Sequence, residues 1–346
     1  MGVGKDERVG STVTSTSPPL ARNFNPIANR WLGAPGISPL SDQPLVSIIV
    51  PSFNQGRYIR DTIESILGQT YRNLEIIVVD GASKDETLEV LAEFSDESRL
   101  RVLSEPDQGV ADAVNKGFHL ARGEILAIQS SDDCYLADSV ELAVKALSGP
   151  VRPGIAYGEV VIVDACGRAL GRSSVGQYCL EAWLTKSVYI PQPSTFFRQC
   201  LLASVGGWDT AYFNADTEFW LRLIWQAPVV KINRELARRR MHGEQRDTQR
   251  AKISESYARM IKQSPAIRSL PLRLRQAAQA GVFLHRVRYN PDPSAISTRW
   301  LLWRAVLTYP PVLRALPARY RLVPFGAEAL RMAGRVRRAL GLKPTT

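Results

Sequence analysis

Short apolar runs recur along the first half of the chain, each closed by a polar cluster. Leu45-Val46-Ser47-Ile48-Ile49-Val50 stops at Pro51, the Glu75–Val79 run at Asp80, and Arg101-Val102-Leu103 at Ser104-Glu105-Pro106-Asp107. Residues 124–128 run into Gln129-Ser130-Ser131-Asp132-Asp133. Runs of this length between turn residues predict buried strands. Between them the apolar spacing becomes helical. Tyr58, Ile59, Ile63, Ile66 and Leu67 predict one helix, and Leu88, Val90 and Leu91 a second after a turn with Ser83 as N-cap. Gly109 opens a third, to Ala121. The alternation predicts an α/β fold, a mostly parallel Rossmann-like sheet with helices on both faces. Such sheets bind ligands at their C-terminal strand edge, where Asn54, Asp80, Ser83, Asp107 and Asp132 all fall.

After Leu147 the pattern loosens. Residues 155–163 predict a strand broken at Gly158, residues 176–193 are irregular and aromatic, and residues 194–197 predict another strand. Gly206-Gly207-Trp208-Asp209 is a turn. A helix opens at Asp216 with acids in its first turn, as the macrodipole favours. Pro228–Ile232 suits an edge strand, then come Arg238-Arg239-Arg240-Met241-His242 and a polar helix to about residue 263.

Composition divides the chain into three. Residues 1–43 are rich in Ser, Thr, Pro, Gly and Asn and predict a mostly disordered leader, with Arg30-Trp31-Leu32 able to pack on the body. Residues 44–265 form the main domain. Residues 266–346 carry fifteen Lys and Arg against two acids, a net of +13 in a chain of net +11, so the rest holds about −2. Within this basic helical extension Trp300–Leu307 is apolar but too short to span a membrane. Its Trp and Arg content suits a membrane interface; a helical extension packed on the main domain fits too. Nucleic-acid binding follows from charge alone, with no recognition motif to support it. Cys134, Cys166, Cys179 and Cys200 have no metal-ligand spacing and read as buried free thiols of a reducing compartment. With no signal pattern and no apolar run of about 18 residues, the expectation is a cytoplasmic protein, peripheral at the inner face of the cell membrane.

Adjacent carboxylates just past a buried strand, as at Asp132-Asp133, are costly without a positive partner. A divalent cation is one such partner; a solvated turn with a helix N-cap is the other reading.

Several segments together resemble glycosyltransferase family 2, the inverting GT-A transferases. They are Pro51-Ser52-Phe53-Asn54, Val78–Asp85, Ser104–Gly109, Asp112–Gly117, Ser131-Asp132-Asp133 and Asn214–Glu218, and the resemblance spans roughly residues 45–260. It implies a nucleoside diphosphate sugar donor and Mn2+ or Mg2+. Pro51, Ser52, Asn54, Asp80 and Ser83 would hold base and ribose, with Asn115, Lys116 and Ser131 near the nucleotide; Lys116 also reads as an exposed helix lysine. The family's metal motif, Asp-x-Asp, stands here as Ser130-Ser131-Asp132, which leaves Asp132 as the expected ligand, and His242 falls where a histidine reaches the metal or diphosphate. Asp216 matches the catalytic base, although Ala215 replaces a common Glu and an N-cap role is the alternative. Gln192, Trp208 and Asp133 fall near acceptor or sugar contacts; Trp208 serves equally as core. The Gln-x-x-Arg-Trp motif of processive members is not found, which implies one sugar per encounter. The tail suggests a lipid-linked saccharide acceptor in envelope polysaccharide or glycolipid synthesis. A nucleotidyltransferase would want a Gly-rich basic loop after the first strand. A non-catalytic sugar-nucleotide-binding or scaffold protein of the same fold stays open on the Ser130 and Ala215 departures.

Overall fold

A computed structural model describes residues 37–316, apart from 174, 244, 246–247 and 290–295, together with two short paired strands at Phe24–Asn25 and Arg30–Trp31. The chain alternates as expected through β1 (Val46–Ser52), α1 (Gly56–Leu67), β2 (Leu74–Asp80), α2 (Thr87–Ala92), β3 (Leu100–Ser104), α3 (Val110–Leu120) and β4 (Ile125–Ile128). The second half contributes β5 (Cys134–Tyr135), α4 (Ser139–Leu147), β6 (Ile155–Val163), β7 (Ala169–Ser173), α5 (Leu180–Leu184), β8 (Thr195–Arg198), α6 (Ala215–Leu223) and β9 (Val229–Arg240). Helices α7 (Arg250–Gln263), α8 (Leu272–Arg288) and α9 (Ile296–Thr308) follow.

The strands form one mixed sheet in the order β3-β2-β1-β4-β8-β6-β9-β5, with β7 paired to the outer half of β6. Strands β3, β2, β1 and β4 are parallel; β8 is antiparallel to both β4 and β6, and β9 runs parallel to β6. The period of two along a strand divides the sheet's faces. Ile48 and Val50 of β1 and Ile125 and Ala127 of β4 face one core cluster; Ile49, Leu126 and Ile128 face the other. Gly117 lets α3 close on β1, where a Cβ would lie 2.3 Å from Ile49 Cγ2.

Three departures matter for the site. Strand β6 is not broken at Gly158; a Cβ there would lie 2.4 Å from Leu236 Cγ, so the glycine admits the neighbouring strand β9. The expected five-residue edge strand at Pro228–Ile232 is the start of the 12-residue β9, which lies inside the sheet between β6 and β5. Its register shifts between Lys231 and Ala237 re-aim the outer half. Thirdly, the basic extension is not separate over its described part. Ala277, Ala278, Ala280 and Phe283 of α8 share a core cluster with Ile49 and Trp183, so the expected boundary at residue 265 falls inside one hydrophobic core.

Residues 37–43, placed by composition in a disordered leader, are tied down. Ile37 is buried, and Arg152 and Arg198 donate to the carbonyls of Ile37 and Ser38 at 3.1 and 2.8 Å. The guanidinium of Arg198 is buried and needs carbonyl partners; the leader's end supplies one. The Arg30 and Trp31 side chains, Leu32, and the basic residues beyond 316 lie outside the described residues. Among the described residues no helix is long and apolar enough to cross a membrane. All four cysteines are free, but none is fully buried as expected: Cys166 and Cys200 are exposed, Cys134 and Cys179 half-buried.

Candidate functional site

One cavity of about 760 Å³ opens at the C-terminal ends of β1 and β4 and continues past α6 to α8. Of the residues the sequence singled out, Pro51, Ser52, Asp107, Ser130, Ser131, Asp132, Asp133, Gln192, Trp208, Asp216 and His242 line it. Several lining residues hold buried polar atoms without a partner among the described residues: Ser52 Oγ, Gln55 Oε1, Trp208 Nε1, Asn214 Oδ1 and the Nδ1 atoms of His242 and His285. Buried polar atoms are nearly always hydrogen-bonded in folded proteins, so a cluster of unpaired ones at one cavity marks a place built for a polar ligand.

At the β4 end, His242 Nε2 donates to Asp132 Oδ2 at 2.9 Å, and Gln245 Nε2 reaches the same oxygen at 3.2 Å. Strand β9 puts His242 there. The Tyr58 ring lies 4.8 Å from the imidazole and 4.9 Å below the Arg240 guanidinium, which fixes both. A carboxylate oxygen and an imidazole nitrogen meeting at one point suit a divalent cation such as Mn2+, with Mg2+ less at ease beside nitrogen. Among the described residues no cluster of three or more His, Cys, Asp or Glu that could hold a metal ion forms there. Ser130, at the position of the missing first acid, donates instead to Gln192 Oε1 at 3.3 Å.

Asp133 differs from its neighbour. It is buried, and its Oδ1 accepts the Arg240 backbone N–H at 2.8 Å. Burial, then the charge of Asp132, push its carboxyl well above the usual range. It fastens β9 to the Asp132 loop.

Other expected site residues lie off the cavity. Asp80 is fully buried, its carboxylate accepting from Ser83 N–H at 2.9 Å, from the Ser83 hydroxyl, and from Ser104 Oγ at 2.7 Å. Ser83 Oγ in turn accepts the Asn54 N–H at 2.8 Å, and Asn54 Oδ1 the Lys84 N–H at 2.8 Å. These residues brace a mouth whose Asn54 and Ala82 both have left-handed backbones, φ 52° and 62°. The side chain of Asn115 is taken up by the Trp208 backbone: Nδ2 donates to its carbonyl at 2.8 Å and Oδ1 accepts its N–H at 2.7 Å. Lys116 lies between Glu105 at 2.8 Å and Asp112 at 3.5 Å, already neutralised.

Asp216 lines the cavity at the second position of α6, half buried. Glu218, two residues on, does not share its role. It is buried in a fork with Arg222, whose Nη2 also donates to Gly207 O at 2.7 Å. That pair and the Asn115 amide hold the Gly207-Trp208 turn from both sides. Trp208 is thus both core and cavity wall.

The sequence reading missed Phe53, Lys186, Tyr189, Arg239, His285 and Arg288, all lining residues. The Phe53 ring is exposed at the mouth, and nothing in the sequence beside Pro51 signals that exposure. Lys186, His285 and Arg288 had no signal either, because α5 and α8 bring them together from a hundred residues apart.

The model of "Glycosyl transferase family 2" matches residues 47–190. A PGL/p-HBAD biosynthesis glycosyltransferase of Mycobacterium tuberculosis is 33% identical over 184 residues, 52% of this chain and 69% of that protein. Chondroitin synthase of Escherichia coli is 26% identical over 223 residues, 64% of this chain. The chain spans only about a third of that synthase and of a Rickettsia felis glycosyltransferase relative, 32% and 35%. Two solved structures share the fold at low identity. The mannosyltransferase PcManGT from Pyrobaculum calidifontis, in complex with GDP-Man and Mn2+, has a TM-score of 0.57 at 21% identity and covers 86% of this chain and 84% of its own. S. aureus TarS 1–349 with UDP-GlcNAc has a TM-score of 0.59 at 16% identity, covering 82% and 87%. The architecture is that of the GT-A glycosyltransferases. With a mycobacterial relative one-third identical over most of its own length, and the family model lying across the strands that floor the cavity, the chain belongs to glycosyltransferase family 2.

Proposed function

We propose that the protein transfers one sugar from a nucleoside diphosphate sugar to an acceptor hydroxyl, with inversion at the anomeric carbon. The observation that carries this is the shared cavity: Asp132 with His242 and, on a different element, Asp216 all open into it. Asp132 and His242 would hold Mn2+ or Mg2+, which when bound neutralises charge on the departing diphosphate. Pro51, Phe53, Ser52 and Ser131 would receive base and ribose. Asp80, Ser83 and Asn54 act behind them by bracing the loop. The helix N-terminus favours ionised Asp216. Its carboxylate takes the acceptor hydroxyl proton as that oxygen bonds the anomeric carbon, while the bond to phosphate breaks on the opposite face and its electron pair leaves with the nucleoside diphosphate. The acceptor side is walled by Gln192, Trp208, Lys186 and α8.

The relatives' names, PGL/p-HBAD biosynthesis and chondroitin synthesis, support an envelope glycan or glycolipid as product. A lipid-linked saccharide acceptor reached from the membrane surface suits the exposed Trp300 and Trp303 on α9.

Hydrolysis of UDP-GlcNAc and GDP-mannose by the full chain, with and without Mn2+, tests the reading. Asp216→Asn should lower turnover at least 100-fold while leaving nucleotide affinity within about twofold. Unchanged turnover in the variant sinks the base assignment. Nucleotide binding without any turnover in the wild type favours a non-catalytic sugar-nucleotide-binding protein of the same fold.

A further inference from the structure

We infer that Lys186 and Arg288 form a seat for an anionic group, phosphate or carboxylate, carried by the acceptor beside the hydroxyl that reacts. This rests on the glycosyl-transfer reading above and goes beyond it, to the chemical class of the acceptor.

Both side chains line the cavity, Lys186 from the loop after α5 and Arg288 from the last position of α8. Lys186 has a left-handed backbone, φ 58°, a conformation a non-glycine residue adopts at a cost. The loop accepts this strain and aims the ammonium inward, 4.7 Å from the Tyr257 ring centroid and 5.6 Å from that of Trp183. The Arg288 guanidinium lies 5.6 Å from the Tyr189 ring centroid. Aromatic faces replace part of a cation's lost hydration, but they supply no counter-charge.

Neither cation has a carboxylate within ion-pair distance among the described residues. The charges that act on Lys186 are Arg288, which repels it, and Asp216, which attracts it from longer range. Burial, then Arg288, hold the Lys186 ammonium down to about 8, so most of it stays charged at neutral pH. His285, stacked on Tyr257 at 4.3 Å, adds no charge: burial, then Lys186 and Arg288, keep its ring neutral. Lys186 is half-buried and Arg288 exposed in the same cavity, and two like charges there with no ion-paired carboxylate favour an anion that completes the set.

That anion is placed on the acceptor because Lys186 and Arg288 come from the end of α5 and from α8, not from the ends of β1 and β4 that carry Ser52 and Asp132, where the donor diphosphate would lie. A planar guanidinium beside a point-like ammonium suits the oxygens of phosphate or carboxylate. The neighbouring Tyr189, Tyr289 and Trp208 rings give a sugar flat surfaces to lie on.

The experiment uses the full chain with its donor half filled by saturating UDP or GDP and Mn2+. Binding of phenyl phosphate, benzoate, decyl phosphate and the neutral phenyl β-glucoside is then measured by calorimetry. At least one anion should bind saturably, and Lys186→Met and Arg288→Gln should each weaken it at least tenfold. Arg288→Lys, which keeps the charge, should recover much of the loss, and the neutral glucoside should not respond to any variant. Preference for decyl over phenyl phosphate assigns a lipid-borne phosphate, parity a glycan-borne one, and preference for benzoate a carboxylate. The seat is overturned by a wild type that binds no anion, by variants that leave anion binding unchanged, or by variants that weaken the nucleotide as much as the anion. Failure of every nucleotide to bind overturns the donor reading instead, and the same titration without nucleotide then tests the seat alone.

Discussion

Glu75 shows how a single charge can be locked into a strand that reads as continuous core. Its carboxylate is buried against the sheet, accepting from Ser47 Oγ at 2.6 Å, Arg122 N–H at 2.8 Å and Arg122 Nη2 at 2.9 Å. Burial alone would raise its pKa, but the hydrogen bonds from Ser47 and Arg122 outweigh it and hold the carboxyl below the ordinary value. A carboxylate whose folded pKa is depressed contributes stability above its unfolded pKa of about 4.3 and loses it as pH falls through the lower folded value. Urea midpoints taken from pH 6 downward should therefore drop more steeply below about pH 4 in wild type than in Glu75→Gln. The variant itself should be less stable at pH 7 by roughly 2 kcal/mol, since Ser47 and Arg122 lose a charged acceptor. Equal pH slopes in the two proteins would refute the assignment. At this scale the sequence spoke unevenly. It marked Asp132 by its place after a predicted strand, and Asp216 and His242 only through the resemblance to the family's motifs. It said nothing of what satisfies Asp80, Asn115 or Lys116, because those partners come from backbone and side chains that only the fold brings near.

Among elements, α8 packs tightly against the end of α5. A Cβ on Gly281 would lie 1.9 Å from the Leu184 carbonyl oxygen and 3.0 Å from its carbon, both backbone atoms. Inside a helix, Gly→Ala normally stabilises by up to about 1 kcal/mol. Here overpacking costs about 1–3 kcal/mol and wins. Gly281→Ala should thus lower the urea midpoint, and it should spread the two elements that carry Lys186 and Arg288. Anion affinity should fall while nucleotide affinity holds; a stabilised variant would show that the helices do not meet this closely. The parallel half of the sheet was legible because its strands are apolar runs bounded by turns. Strand β9 was not, beyond its first residues, because Arg238-Arg239-Arg240 in a strand breaks the hydrophobic pattern. Those arginines are admitted because their partners are polar: Arg240 reaches Asp61 at 2.7 Å and the Ala165 carbonyl at 3.0 Å.

For the whole molecule, the described part of the basic extension does two things. Helix α8 closes the cavity wall from inside the core, while α9 turns Trp300, Trp303 and Leu307 outward, 56%, 42% and 69% exposed. Positions 300, 303 and 307 fall on one helix face. The full chain should sediment with vesicles of phosphatidylglycerol, and Trp300→Ser with Trp303→Ser should reduce the bound fraction several-fold with no change in the urea midpoint. Binding that survives in the double variant points to charge without insertion. Truncation at residue 265 would remove Ala277, Ala278 and Phe283 from a shared core. Strand β9 has a consequence of its own at this scale. Through the Arg240 N–H it is fastened to the Asp133 carboxylate beside the metal-type residues, and one residue earlier it presents Arg239 to the cavity. Arg239 and Arg240 are neighbours in this one strand, so the backbone that grips Asp133 also carries Arg239. Loosening the Asp133 tether would therefore shift the Arg239 side of the cavity as well.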